Sequence, residues 1–322
     1  MGKRRRCAAP GQQGTNMYFR TVPREISLQV FSAMPAHLRK TGVRSEWADA
    51  NKGGACIDSF LEGPVFDPAG NLYVTDIPFG RILRISPAGE WSLVAEYKGE
   101  PNGMKFLNAR ELVVADYRNG LLRVNVDTGE VTTLLGRRNA EQFKGVNDLV
   151  ISRRGDLYFT DQGQTGLHDP TGRVYRLRPG GQLDLLLGNV PSPNGLALSC
   201  DEKVLFVAAT RGNCVWRVPL QADGSVSKVG QFFTFYGTSG PDGMAIDSRD
   251  RLFVAHASLG CVWVLSKRGE PEAILASPAG ATTTNLVFQP AVEPGQPRKV
   301  FVTESETGTI LFADLDEAGL GV

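Results

Sequence analysis

The sequence predicts an all-β chain, a six-bladed β-propeller of four-stranded antiparallel blades, and three observations carry that expectation. One phrase, a polar residue opening an apolar run, a turn and a second apolar, β-branched run, recurs along the chain. GPVFDPAGNLYVTD starts at Gly63, PNGMKFLNARELVVAD at Pro101, VNDLVISRRGDLYFTD at Val146, PNGLALSCDEKVLFVAAT at Pro193 and PDGMAIDSRDRLFVAH at Pro241. A looser sixth copy, TNLVFQP with KVFVTES, starts at Thr284. The residues opening the copies, Glu62, Asn102, Asn147, Asn194, Asp242 and Asn285, are 40, 45, 47, 48 and 43 positions apart. Each interval holds apolar runs for four short strands and no long amphipathic helix. Four strands per repeat of about 40–50 residues is the pattern of a propeller blade. One such sheet cannot bury both faces, whereas six arranged radially can.

Taken in order, residues 1–24 read as a partly disordered tail that includes the basic run KRRR at 3–6. No apolar segment follows that run, so it is not a secretory signal. Residues 25–31, EISLQVF, alternate polar and apolar and read as a strand. The sixth copy ends at residues 310–315 one strand short, so 25–31 is the candidate to complete it and lock one domain over 25–322. Residues 47–54 are polar and Gly-rich and read as loop. Third strands follow each copy, for example at 81–85, 120–124 and 173–177. Gly-containing turns at 87–89, 127–129, 179–181 and 222–224 lead to fourth strands at 91–95, 131–135, 183–187, 229–233 and 272–275.

Composition narrows the function classes. Lys and Arg total 35 against 34 Asp and Glu, a net charge of +1, which argues against nucleic-acid or membrane-surface partners. No run reaches the roughly 20 apolar residues of a membrane span. Five scattered cysteines without a C-x-x-C pair argue against a zinc site or disulfide framework. They read as buried free thiols in a reducing, cytoplasmic setting.

The opening position holds a side chain with a terminal oxygen in all six copies, and in a propeller these six converge on the central channel. A second register, Asp76, Asp116, Asp161 and His256, lies 14 residues further on in four copies. Blade four carries Ala208-Ala209 there, and blade six reaches Glu304 after an insertion. Carboxylates and amide carbonyls without thiols suit a hard divalent cation, Ca²⁺ first, with Mg²⁺, Mn²⁺ and Zn²⁺ as competitors. The competing reading makes Asn-Gly and Asp-Gly ordinary turn residues. A serine-nucleophile hydrolase is disfavoured, because no G-x-S-x-G is present and the histidines are only His37, His168 and His256.

EGPVFD, GVNDLVISRRGDLYFTD, PNGLALSCDEKVLFVA and GPDGMAIDSRDRLFVAH together resemble the regucalcin/gluconolactonase family of sugar-lactone hydrolases. The resemblance spans roughly residues 61–315. It implies one divalent metal at the top of the channel and a small hydroxylated, sugar-type lactone as substrate, opened by metal-activated water. By matching position it implies Glu62, Asn194, Asp242 and Asn147 as metal ligands, with Asp242 also the general base toward water. Asn147, Asn102, His256 and Lys144 are the candidate substrate contacts. The loop 162–170 is a candidate wall of the site, with Tyr117 and Arg118 as weaker contacts. One departure stands out: sugar-lactone members often carry Arg two residues before the Asn of blade three, where this chain has Gly145 beside Lys144. Three readings remain open: a lactonase, a metal-dependent phosphoesterase or phosphofluoridate hydrolase, and a non-catalytic binding propeller. A strictosidine-synthase-like condensation ranks behind them, and oligomeric state is not encoded in any motif.

Overall fold

In the computed structural model, which describes residues 22–290 and 298–316, each copy of the phrase forms the inner half of a four-stranded antiparallel blade. The basic run at 3–6 and Cys7 lie outside the described residues. Blade 1 runs outward from Leu61–Phe66 through Leu72–Asp76 and Arg81–Ile85 to Trp91–Glu96. The next four blades begin at the axis with Pro101–Asn108, Val146–Ile151, Pro193–Leu198 and Pro241–Ile246, and the sixth with Thr283–Phe288. Each innermost strand touches that of the next blade, and the sixth returns to the first. The molecule is a six-bladed β-propeller.

The apolar alternation within strands is spent between blades. Six hydrophobic clusters each span one blade–blade boundary, from Val65, Met104 and Val114 between blades 1 and 2 to Leu61, Val74, Phe301 and Ile310 between blades 6 and 1. Each sheet thus buries both faces, which no blade achieves alone.

Ring closure differs from the single strand expected at 25–31. The segment splits into β1 (Arg24–Ser27) and β2 (Gln29–Ala33). β2 completes blade 6, antiparallel to Thr309–Asp314, with Val30 opposite Leu311. β1 adds a fifth strand to blade 5, parallel to Pro271–Ala276. Leu28, buried between them, donates its N–H to the Ala276 carbonyl at 2.8 Å. Arg24 thus already belongs to a strand, and one segment covers two blade edges. Residues 47–54 are not all loop either: α1 (Glu46–Asn51) is a short helix over the channel mouth. It is held by Arg118, which bonds Glu46 and Glu100 at 2.7 Å each, and by the Ser45 hydroxyl on the Pro78 carbonyl at 3.1 Å.

Two local devices aim the central side chains. The ladder between the first and second strand slips by one residue at the opening position in all six blades, for example between Pro101 and Met104 and between Pro241 and Met244. Such a bulge re-aims a side chain and bends its strand. The Asn-Gly and Asp-Gly pairs thus lie inside strands rather than in turns. Their glycines admit the neighbouring blade: a Cβ on Gly195 would sit 2.3 Å from the Asp242 carbonyl oxygen, and one on Gly103 2.0 Å from an Asp148 carboxylate oxygen.

The second register returns to the same end, as the hairpins require, but turns toward the backbone. Asp76, Asp116 and Asp161 accept the N–H of Phe60, Glu100 and Gly145 at 2.8, 2.9 and 2.8 Å. Glu304 accepts that of Thr282 at 3.2 Å. Each donor lies two or three residues before an opening position, so these carboxylates pin the loops that enter the channel. The thiols are only partly as expected: Cys214 and Cys261 are buried, Cys200 is half-buried and Cys56 is exposed. No described helix is long and apolar enough to cross a membrane.

Gly195→Ala is expected to cost about 1–3 kcal/mol of unfolding free energy, because the atoms its methyl meets are backbone and cannot rotate away. Urea titration against wild type measures it; an unchanged midpoint would contradict the close-approach role.

Candidate active site at the channel mouth

The bulged strand starts bring Glu62, Asn102, Asn147, Asn194 and Asp242 to the wall of one cleft of about 140 Å³. Trp47, Asn51 and Lys52 at α1, with Phe60, Tyr117, Gln162, Ser192 and Arg211, form its rim. The Trp47 and Phe60 rings pack at 4.6 Å. The opening side chains are nearly buried, Glu62 at 2% and Asp242 at 8% exposure.

Hydrogen bonds fix these groups individually. Glu62 Oε2 accepts the Gly63 N–H at 2.7 Å and the Asn285 amide at 2.9 Å, which leaves Oε1 for the cleft. In blade 6 the opening slot is filled by Thr284 and not by the expected Asn285, because Thr283 pairs with Glu304 as Pro241 does with His256. Asn285 stands one residue further, in the glycine position of the other blades, and orients Glu62 without lining the cleft. Asn147 donates its amide to Gln162 Oε1 at 2.9 Å, and Gln162 donates to the Ser192 hydroxyl at 3.0 Å. The Asn194 amide acts on the Asp242 carboxyl in the direction that favours its ionised form. The Asn102 backbone carbonyl accepts from the Thr75 hydroxyl at 3.0 Å and that of Asn194 from Thr160 at 2.9 Å, so main chain as well as side chain is held.

The electrostatics are those of crowded acids. Burial first, then the charges of Asp242 and Asp148, raise the Glu62 carboxyl well above its ordinary value. Burial first, then Asp148, raise Asp242 to about 8. Asp148, buried behind the cleft where four other blades have glycine, is a third acid that sequence reasoning passed over, and burial raises it too. Its substitution for the small residue seen at Gly63, Gly103, Gly195 and Gly243 was the available signal. Among the described residues no group of three or more His, Cys, Asp or Glu side chains is arranged to hold a metal. A cation here therefore depends on amide oxygens as well. Two are suitably poised: Asn102 Oδ1 and Asn147 Oδ1 are buried without a hydrogen-bond partner. Unpaired buried acceptors beside mutually repelling carboxylates fit a hard divalent ion.

Residues 60–303 match the SMP-30/Gluconolactonase/LRE-like region family. The chain belongs to this family. It is 30% identical over 270 residues to lactonase drp35 of Staphylococcus epidermidis, covering 78% of this chain and 82% of that protein. Its fold matches a gluconolactonase from Xanthomonas campestris with a TM-score of 0.68 at 24% identity, over 87% of this chain and 97% of the other. It also matches the calcium-binding protein regucalcin from Agrobacterium tumefaciens, with a TM-score of 0.68 at 20% identity, over 90% and 95% of the two chains.

Against that family background two expected contacts fall outside the cleft wall. Lys144 points away, its ammonium on the Thr171 hydroxyl. His256 is fully buried, edge-on to Phe235 at 5.6 Å, with neither ring nitrogen in a good hydrogen bond. Burial lowers its pKa to about 4, although the Tyr236 carbonyl pulls the other way. The missing arginine also has a physical reason. Gly145 adopts φ +153°, and a Cβ there would meet the Tyr117 ring at 2.3 Å. Tyr117 fills that space, with its hydroxyl accepting from Gln164 at 3.0 Å. The 162–170 loop contributes Gln162 to the cleft, while Leu167 and His168 line a neighbouring hollow. Lys52 and Arg211, which no repeat marks, complete the rim.

His256 makes a pH prediction. In the unfolded chain its imidazole titrates near 6.5, and in the folded protein at about 4. Between these values the unfolded state holds the extra proton, so this group's effect on stability is nil above about 6.5 and turns destabilising as pH falls toward 4. His256→Phe is expected to remove roughly 2–3 kcal/mol of that acid loss. Parallel wild-type and variant curves from pH 7 to 4 would contradict it.

Proposed function

We propose that this protein hydrolyses a small lactone at the channel mouth with the help of one divalent cation, Ca²⁺ first among the candidates. The observation that carries the reading is the pairing of crowded, buried Glu62 and Asp242 with the unpaired oxygens of Asn102 and Asn147 in one cleft. The lactonase drp35 relatives and the gluconolactonase neighbour support the substrate class. The regucalcin neighbour, described as calcium-binding, supports the cation.

Glu62, Asn147, Asn194 and Asp242 would hold the ion, with Asn102 adding an oxygen on the same wall. A bound divalent cation supplies Lewis acidity, polarising a carbonyl and making water a better nucleophile. The remaining work falls to the chain. Asp242 takes a proton from the attacking water as its oxygen bonds to the lactone carbonyl carbon. The ring C–O bond then breaks, and the same proton passes to the departing alkoxide, giving a hydroxy acid. Asn194 orients Asp242, and Asn147 is fixed by Gln162. Trp47 and Phe60 give the ring an apolar wall and exclude water from its far side. The small cleft suits a monocyclic substrate.

Lactone hydrolysis followed by acid release is expected to disappear with chelator and return with added Ca²⁺, Mn²⁺ or Zn²⁺. Asp242→Asn should lower kcat by about 10²–10⁴-fold, and Glu62→Gln should weaken metal binding measured by calorimetry. Hydrolysis indifferent to chelation and to Asp242→Asn would refute the proposal. Phosphoester turnover in place of lactone turnover would keep the ion and replace the substrate.

A further inference from the structure

Resting on that reading of the centre, we propose that the substrate carries an oxyanion substituent, a carboxylate or a phosphate, held at the cleft mouth by Lys52 and Arg211. Both side chains line the cleft that contains Asp242. Each lies within electrostatic reach of the Asp242 carboxyl, and the two cations sense each other.

Both side chains are exposed, but each springs from an anchored backbone. Lys52 caps the C-terminus of α1, its N–H on the Ala48 carbonyl at 2.8 Å, and its ammonium lies 4.6 Å from the centre of the Phe60 ring. Arg211 stands in the turn after Val204–Ala209. There the Thr210 N–H bonds the Ser192 carbonyl at 3.0 Å and the Thr210 hydroxyl bonds the Pro241 carbonyl at 2.7 Å. Gly240 allows this approach, since a Cβ there would meet the Thr210 carbonyl oxygen at 2.1 Å. The turn carrying Arg211 is therefore tied to the strand that carries Asp242.

Three cations near this end are neutralised by carboxylates, and these two are not. Arg39 pairs with Asp58 at 2.9 Å, Lys40 with Glu96 at 3.1 Å, and Arg118 with Glu46 and Glu100 at 2.7 Å. Among the described residues Lys52 and Arg211 have no such ion pair, and Lys52 senses Glu306 only through space. Glu306 already accepts the Ala281 N–H at 2.7 Å. Once a divalent ion balances Glu62 and Asp242, the mouth retains two cations without partners. Such a mouth selects anions and attracts them. Were the pair present only to offset the two acids, it would compete with the ion and confer no ligand preference.

The test is ligand binding to the metal-loaded protein, using tetrahydrofuran-2-carboxylate, tetrahydrofurfuryl phosphate and neutral tetrahydrofurfuryl alcohol, none of which contains a lactone bond. Calorimetry is expected to give at least one of the anions a Kd roughly tenfold below that of the alcohol, and the tighter anion names the group. The double variant Lys52→Gln/Arg211→Gln should lose that preference while binding metal as tightly as wild type or tighter. The charge-conserving pair Lys52→Arg/Arg211→Lys, the control for folding, should keep it. Equal binding of the three ligands by wild type, or a preference that survives the double Gln variant, would overturn the inference. Lactone hydrolysis on the same preparation separates the two proposals. Hydrolysis with no anion preference defeats this one alone, and anion preference without hydrolysis defeats the lactone reading while the anion site stands.

Discussion

The contacts between innermost strands around the axis are what the rest of the molecule depends on. Six strands must approach one another closely enough for backbone to touch backbone, and glycine beside the opening residue of four blades permits it. That closeness pushes the opening side chains together in a space that water barely enters. The one-residue bulge then turns those of blades 1 to 5 upward into a common cleft. Fold and site are consequences of one packing problem, and a Cβ placed at Gly195 disturbs both.

The electrostatic cost of that arrangement is visible in its acids. Glu62, Asp148 and Asp242 each resist ionisation because burial strips their solvent, and Glu62 and Asp242 feel a neighbouring acid's charge as well. A folded protein retains such crowding where something compensates it or uses it. The bonds from Asn285 and Gly63 to Glu62 satisfy part of the demand, and the free oxygens of Asn102 and Asn147 point to what completes it. The second-register acids show the contrasting solution. Asp76 is equally buried, but it is answered at once by Arg81 and by the Phe60 N–H.

Much of this was legible in the sequence because the signal is periodic. Opening residues 40 to 48 positions apart, each leading two apolar runs, define blade, ring and axis without tertiary information. What was illegible depends on partners rather than on period. An aspartate that ligates and one that caps a backbone N–H look alike in the chain, so Asp116 could not be told from Asp242 by type. The alternation at 25–31 was read correctly as strand, but its division at Leu28 between two blades is set by which edges stand open. α1 has six residues, too few to show a helical period, and is held by Arg118 from another blade. Lys52 and Arg211 lie between copies, where no repeat marks them. His256 fits the register and yet is sealed under Phe235, because a register specifies which end of a strand a residue occupies and not which way its ring faces.

The central claim is that a divalent cation belongs on the propeller axis among Glu62, Asn147, Asn194 and Asp242. The most direct measurement is anomalous diffraction from crystals grown with Mn²⁺, compared between wild type and Glu62→Gln/Asp242→Asn. The account predicts one strong anomalous peak in the cleft of the wild type, within coordination distance of those oxygens, and none there in the variant. A wild-type cleft without a peak, or an unchanged peak in the variant, would contradict it.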